Sequence, residues 1–175
     1  MALTTLRGFA LLRLLDPAEL GLWKTLMLLL PVVGWFRLAF SRGMSIRVPY
    51  LLGQGEPAAA ESLCAAAAWL QIATGLVLSA AALLISLFVP SAWRLPLQLM
   101  ALVITAGQLH GFYRDLVVVH QRPSARARGL LLAAFVDVLA SLGLAWRWGI
   151  PGLACGTLLG LVAPILYLRS QSPGI

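Results

Sequence analysis

An all-α fold is what the sequence predicts: a polytopic bundle of about five transmembrane spans, with a short interfacial or remnant helix ahead of it. Three observations carry that reading. The stretch 63–89 holds no Asp, Glu, Lys or Arg over its 27 residues, more than the roughly 20 that a helix needs to cross a bilayer. Its polar residues, Gln71, Thr74, Ser79 and Ser86, do not fill the stripe at helical spacing that a water-facing helix requires. The whole chain is 61% hydrophobic and 11% charged, with a mean hydropathy of +0.91, whereas soluble domains carry about 25% charged residues. Four further apolar runs, about 20–40, 95–113, 129–146 and 150–168, repeat the pattern between short basic connectors. Residues 1–175 therefore read as a single transmembrane domain with lipid as its solvent.

Taken in order, 1–15 is apolar but interrupted by Arg7 and Arg13, which leaves too short an uncharged tract for a span and suits a short amphipathic helix in the interface. Asp16 and Pro17 then read as a helix start, because Asp can cap and Pro tolerates the first helical position. The span 20–40 has Lys24 and Arg37 toward its ends, where both can snorkel. Pro31 predicts a kink in its middle. Segment 41–61 reads as a polar connector with Arg42, Arg47, a Gly53-Gln54-Gly55 turn and Pro57, and Glu61 falls in the first turn of the next span, favourable against its dipole. Val89-Pro90-Ser91 closes the long span, and Trp93-Arg94 sits in a tight hairpin. After the span 95–113, segment 114–128 is a second basic connector; Arg147-Trp148-Gly149 divides the last two spans, and a tail begins at Arg169.

Five spans alternate sides, so the basic residues can be counted by side. The two connectors and the C-terminus carry Arg42, Arg47, Arg114, Arg122, Arg126, Arg128 and Arg169; the other side carries Lys24, Arg94 and Arg147, with Arg7 and Arg13 if the N-terminus lies there. That imbalance places 41–61, 114–128 and the C-terminus in the cytoplasm and the protein in the cytoplasmic membrane. Trp23, Trp93, Trp146 and Trp148 then fall on the outer side and Tyr50, Tyr113 and Tyr167 on the inner, as interfacial belts do. The N-terminus would be outside, an awkward start that suggests a first span missing or degraded. The net charge of +7 is no nucleic-acid footprint, since only one of the 13 basic residues is Lys and the arginines lie in short connectors. Cys64 and Cys155, near opposite ends of their helices, are expected to be free thiols, and 1–15 lacks the features of a cleaved signal.

Asp137 is the most informative single residue. It lies near the centre of its span, where a carboxylate costs on the order of 2.5 to 3.5 kcal/mol and normally faces a cavity or a partner. By depth, Arg37, Gln71, Gln108, His110 and Asp137 all fall in the inner half of the membrane, and together they would line a polar vestibule. The alternative is that Arg37 and His110 snorkel to the interface while Asp137 is neutral or bonded to a neighbouring helix. Gly152, Gly156 and Gly160 recur every fourth residue on one face, a spacing that lets another helix approach closely; packing within the bundle and an oligomer contact are both open. No His, Cys, Asp or Glu cluster has metal-ligand spacing, no Gly-rich phosphate loop precedes a helix, and Gly53-Gln54-Gly55 lacks the third glycine and preceding strand of a dinucleotide fingerprint. His120, in a basic connector, reads as solvated. No enzymatic activity, cofactor or metal is expected.

Arg13-Leu-Leu-Asp-Pro-Ala-Glu-Leu-Gly-Leu-Trp before a span, Gly43 to Arg47, and Leu51-Leu-Gly-Gln-Gly-Glu-Pro-Ala-Ala-Ala-Glu before a long span resemble the early part of the oligosaccharide flippases. Those O-antigen and exopolysaccharide exporters share a superfamily with multidrug and toxic compound extruders and lipid II flippases. Gln121-Arg122-Pro, an intramembrane span, and Gly149-Ile-Pro-Gly-Leu-Ala-Cys-Gly-Thr are similar to that family's fifth and sixth spans. The resemblance covers about 11–169 and corresponds to the N-terminal half of such a transporter. It implies two bundles of six spans around a lumen, alternating access, and a lipid-linked saccharide whose pyrophosphate would meet Arg37 or Arg47. With the first span reduced to 1–15 and the second bundle missing, transport would require a homodimer or a second half-transporter polypeptide, since one half cannot rock alone; a truncated or split reading frame is the other expectation. The expected function is outward flipping of a lipid-linked oligosaccharide, with membrane lipids and that saccharide as partners and no nucleic acid. Two alternatives are cation-coupled multidrug extrusion, with Asp137 as the coupling carboxylate, and a non-transporting scaffold that docks on a polysaccharide-assembly complex through the Gly152 to Gly160 face. The protein is expected to stay with the membrane pellet through high-salt washes and to enter solution only with detergent; recovery from an aqueous supernatant would remove the fold class.

Overall fold

The computed structural model describes residues 2–119 and 123–170, helical almost throughout and without a strand among them. Six helices follow one another: α1 (Ala2–Leu14), α2 (Pro17–Met27), α3 (Leu29–Gly53), α4 (Pro57–Phe88), α5 (Ser91–Val119) and α6 (Pro123–Ser170). Helix is the expected answer in lipid, where every backbone N–H and C=O must find its partner within the segment.

α2 opens at Pro17 behind an extended Asp16 (φ −63°, ψ 149°), whose carbonyl, not its side chain, accepts the Leu20 N–H at 2.9 Å. The interruption expected at Pro31 falls one turn earlier. Pro31 has no N–H for the Met27 carbonyl and its ring crowds that group, so α2 stops at Met27, Leu28 turns its N–H back to Thr25 at 3.1 Å, and α3 restarts at Leu29.

The connector expected over 41–61 is mostly helix. α3 runs on to Gly53 because Met44 and Val48, four residues apart, bury one face against Ala60, Cys64 and Ala67 of α4 and Phe112 and Leu116 of α5. Its end is a Schellman cap: Gly55 takes φ +78°, the Glu56 N–H reaches the Leu51 carbonyl at 3.0 Å and the Gly55 N–H reaches Leu52 at 3.2 Å. Only Gln54, Gly55 and Glu56 separate α3 from α4. The second basic connector shrinks likewise, since α5 continues through Val119 with Leu116, Val117 and Val119 buried. Arg114 is therefore a helix residue, 3.6 Å from Asp115, and α6 begins at Pro123. His120, Gln121 and Arg122 lie outside the described residues.

α4 crosses in one piece. Its buried residues, Ala60, Cys64, Ala67, Gln71, Gly75, Ser79, Ala82 and Ser86, form a single stripe of small and polar side chains. Gln71, Ser79 and Ser86 thus do share a face, contrary to the sequence reading, because that face is shared with glycine, alanine and cysteine and packs on α5 instead of meeting water. The Ser79 hydroxyl donates to the Ala101 carbonyl at 2.6 Å and lies 2.7 Å from the Thr105 hydroxyl. Leu76, Val77, Leu84, Ile85, Leu87 and Phe88 point outward, the last 88% exposed. Polar inside and apolar outside is the arrangement of a membrane-embedded bundle. Val89 is extended (φ −94°, ψ 158°), as a residue before proline prefers, and α5 begins beyond Pro90.

α6 is folded in half. Gly149 takes φ 59° and ψ −134°, backbone that favours glycine strongly, and the limbs 123–148 and 150–170 run back along each other. Gly152 packs on the Leu144 backbone, Gly156 on Ser141 and Gly160 on Asp137. Among the described residues four helical stretches are long and apolar enough to cross a membrane, Pro17–Trp35, Pro57–Phe88, Ser91–Val119 and Ser124–Ser170, the last of them folded back at Gly149. The turns at 15–16, 89–90 and 149 lie at one end of the bundle, and the α3–α4 turn lies at the other with Val119 of α5 and Ala125 and Leu168 of α6. α1 packs along α6, with Leu11 and Leu15 against Trp23, Leu97, Ile150 and Leu153 and Arg7 reaching Asp137.

Because a Cβ at Gly156 would collide with the Ser141 backbone, Gly156→Leu is expected to lower stability in detergent by at least about 1–3 kcal/mol. Leu159→Ile, on the exposed side of the same limb, should leave the unfolding midpoint nearly unchanged.

Candidate functional site

Asp137 stands near the middle of the first limb of α6, and the hairpin sets Thr157 and Gly160 of the second limb beside it. Into this place α1 delivers Arg7. The guanidinium pairs with Asp137 through Nη1 and Oδ2, and its Nη2 donates to the Thr157 hydroxyl at 3.1 Å. Both side chains are largely shielded, 15% exposed for Arg7 and 21% for Asp137. A carboxylate at this depth needs such a cation, since an isolated ion in low dielectric is far costlier than a hydrogen-bonded pair. The match is incomplete: Arg7 Nε and Asp137 Oδ1 are shielded from solvent and bonded to nothing. One donor and one acceptor are therefore left over, and a half-satisfied polar network buried in a membrane is a functional-site signature.

The glycines explain why this cluster fits. Gly160 has no side chain to hold the second limb off the Asp137 backbone, so the carboxylate is drawn into the seam between limbs, where α1 can cover it. Thr157, one turn away on the same limb, supplies a hydroxyl that both charged groups can use. The stripe of Gly152, Gly156 and Gly160 is thus occupied within the chain.

The other candidate residues are distributed over separate places. Gln108 and His110 line a cavity of about 180 Å³ with Val33, Gly34, Ile104 and Leu161, and Gln108 Nε2 donates to the Val33 carbonyl at 3.3 Å. Gly75 of α4 lies against the Gln108 side chain, so α3, α4 and α5 meet at this amide. Gln71, one turn from Gly75 and 2% exposed, has neither amide atom bonded. The antiparallel register of α4 and α5 sets it level with 109–112 of α5. Arg47 is exposed at the other end of α3, on a groove of about 470 Å³ with Tyr50, Leu51, Ser62 and Leu63. Arg37 belongs to α3, but its side chain lies outside the described residues. Gln71, Gln108 and His110 are brought into one region; Asp137 is engaged with Arg7, and Arg47 stands apart. Among the described residues no group of three or more His, Cys, Asp or Glu side chains comes together as a metal site.

Sequence reasoning missed Arg7 and Thr157. The available signal was Asp137 itself: an acid at the centre of a span calls for a cation on a neighbouring helix, and Arg7 is flanked by apolar residues. Breaking the pair from either side strands a charge. Arg7→Ala or Asp137→Asn alone is expected to cost about 3–5 kcal/mol, the double variant less than the sum, measured by unfolding in detergent; strictly additive losses would mean the two are not coupled. Compared with protein-family models, curated proteins and solved structures, the chain matches none.

Proposed function

We propose that this is a membrane transport protein: one bundle of a flippase that moves a lipid-linked oligosaccharide outward across the cytoplasmic membrane, completed by a second copy or a second polypeptide. The observation that carries the reading is the Arg7–Asp137–Thr157 cluster, buried where an apolar filling of equal volume would be at least as stable. Ionisable groups kept within a membrane bundle at such cost mark pathways for polar cargo. Elsewhere in the bundle Gln71 retains an unbonded amide and Gln108 and His110 face a cavity, so the interior holds polar groups beyond the charged cluster.

The class of cargo rests on the resemblance and on Arg47. Its groove joins a guanidinium, the Tyr50 ring and the Ser62 hydroxyl to the apolar sides of Leu51, Leu63 and Ala66, a combination suited to a phosphate carried on a hydrocarbon chain. The end of the bundle that holds Arg47, Arg126, Arg128 and Arg169 faces the cytoplasm by the arginine bias, where such a cargo would be loaded. Drug extrusion coupled through Asp137 has less support, because a coupling cation would have to displace Arg7. A scaffold docking through Gly152, Gly156 and Gly160 would need a face that is buried in the hairpin.

In vesicles carrying the protein and a fluorescent lipid-linked oligosaccharide, transbilayer movement above that of protein-free vesicles is expected. Arg47→Gln should slow it about tenfold or more, the worth of one charge-assisted hydrogen bond. Movement at the protein-free rate would overturn the transport reading.

A further inference from the structure

α1 and α2 splay apart below their shared turn. The two helices touch little beyond that turn. Between them is a cleft of about 300 Å³ lined by Gly8, Phe9, Leu11 and Leu12 on α1 and by Leu20 and Lys24 on α2, with Thr5 at its far end. The lining is almost wholly apolar. Gly8 fronts open space, where even a Cβ would meet nothing within 4 Å. Phe9 and Leu12, 66% and 60% exposed, stand at its edge toward the bilayer.

One charge faces this slot. Lys24 is the only lysine in the chain, and among the described residues no carboxylate pairs with it. Counted from the turn at 15–16, it is level with Gly8, within the span, where an unpaired ammonium is costly. Side chains on a helix lean toward its N-terminus, so the ammonium reaches toward the turn and the headgroup region above it. A cation at the mouth of an apolar cleft fits an anion with a hydrocarbon tail. We infer that the α1–α2 cleft binds an acidic membrane phospholipid, the headgroup phosphate on Lys24 and one acyl chain laid along Gly8, Phe9 and Leu12.

The site borders the α6 contact at Leu11 and extends from there over Gly8, Phe9 and Leu12. Its occupant would cover the exposed side of the helix that supplies Arg7, and so hold that helix against the hairpin.

The test is lipid retention by the full chain purified in detergent, read by native mass spectrometry after exposure to equal amounts of phosphatidylglycerol and phosphatidylcholine. Phosphatidylglycerol is expected to be retained in preference. Lys24→Gln should weaken its retention about tenfold, Lys24→Arg should restore it, and Gly8→Phe, which fills the cleft, should abolish it. Arg94→Gln, which removes an exposed charge at the same end of the bundle but outside the cleft, should leave it unchanged, and because retention is read without any flux, failure here is distinct from failure of the transport reading. Equal retention of the two lipids, or a preference that survives both Lys24→Gln and Gly8→Phe, would overturn the inference.

Discussion

The close approach of the two limbs of α6 is the constraint on which the rest of the bundle depends. Gly149 reverses the chain in a backbone conformation that a side chain would strain, and three glycines then let two helix backbones meet with almost nothing between them. Close contact of this kind is how helices associate in lipid, where burying leucine yields little because the solvent is equally apolar. Its consequence is chemical as well as structural. Gly160 against Asp137 and Thr157 one turn away turn a seam for packing into a seat for a charge, and α1 closes over it with Arg7.

The same inversion of polarity runs through the other helices. On α4 the buried stripe is made of Ala, Gly, Ser, Cys and Gln while Leu, Ile, Val and Phe face outward. α5, in contact with α3, α4 and α6, is buried on most sides. Small residues allow the backbones near one another, and some hydroxyls and amides find partners across the interface, as Ser79 does with Ala101 and Gln108 with Val33, while Ser86 and Ser141 bond to carbonyls of their own helices. The Gln71 amide is buried and unbonded. A bundle that only had to be stable would carry an apolar residue there, just as it would at Arg7 and Asp137.

Cations are placed at distinct stations. Arg7 is committed to Asp137 at mid-depth, Arg47 opens onto a groove at one end, and Lys24 faces a cleft beneath the opposite turn. Their surroundings differ in kind: a paired guanidinium inside the protein, an exposed guanidinium beside aromatic and hydroxyl groups, and an ammonium against hydrocarbon. On the proposed readings, these environments assign the same positive charge to positioning, to cargo and to the membrane.

The all-helical, membrane-embedded character was legible from one feature of the sequence, apolar runs long enough to cross a bilayer and nearly free of charge, because that property belongs to each segment by itself. The turn residues were legible for the same reason: Gly55, Pro90 and Gly149 act on their own backbone. Helix ends were read too early wherever charge was taken as loop, since Arg47 and Arg114 sit on helices that continue because Met44, Val48, Leu116 and Val119 are buried on distant partners. The pairing of Arg7 with Asp137 joins residues 130 positions apart, and in the sequence Arg7 only disqualified its segment as a span. Sequence by itself determined which segments would enter lipid, a matter of local transfer free energy. Tertiary structure alone decided which faces met, and therefore which charge was neutralised, because that depends on backbones brought together by glycines far apart in the chain.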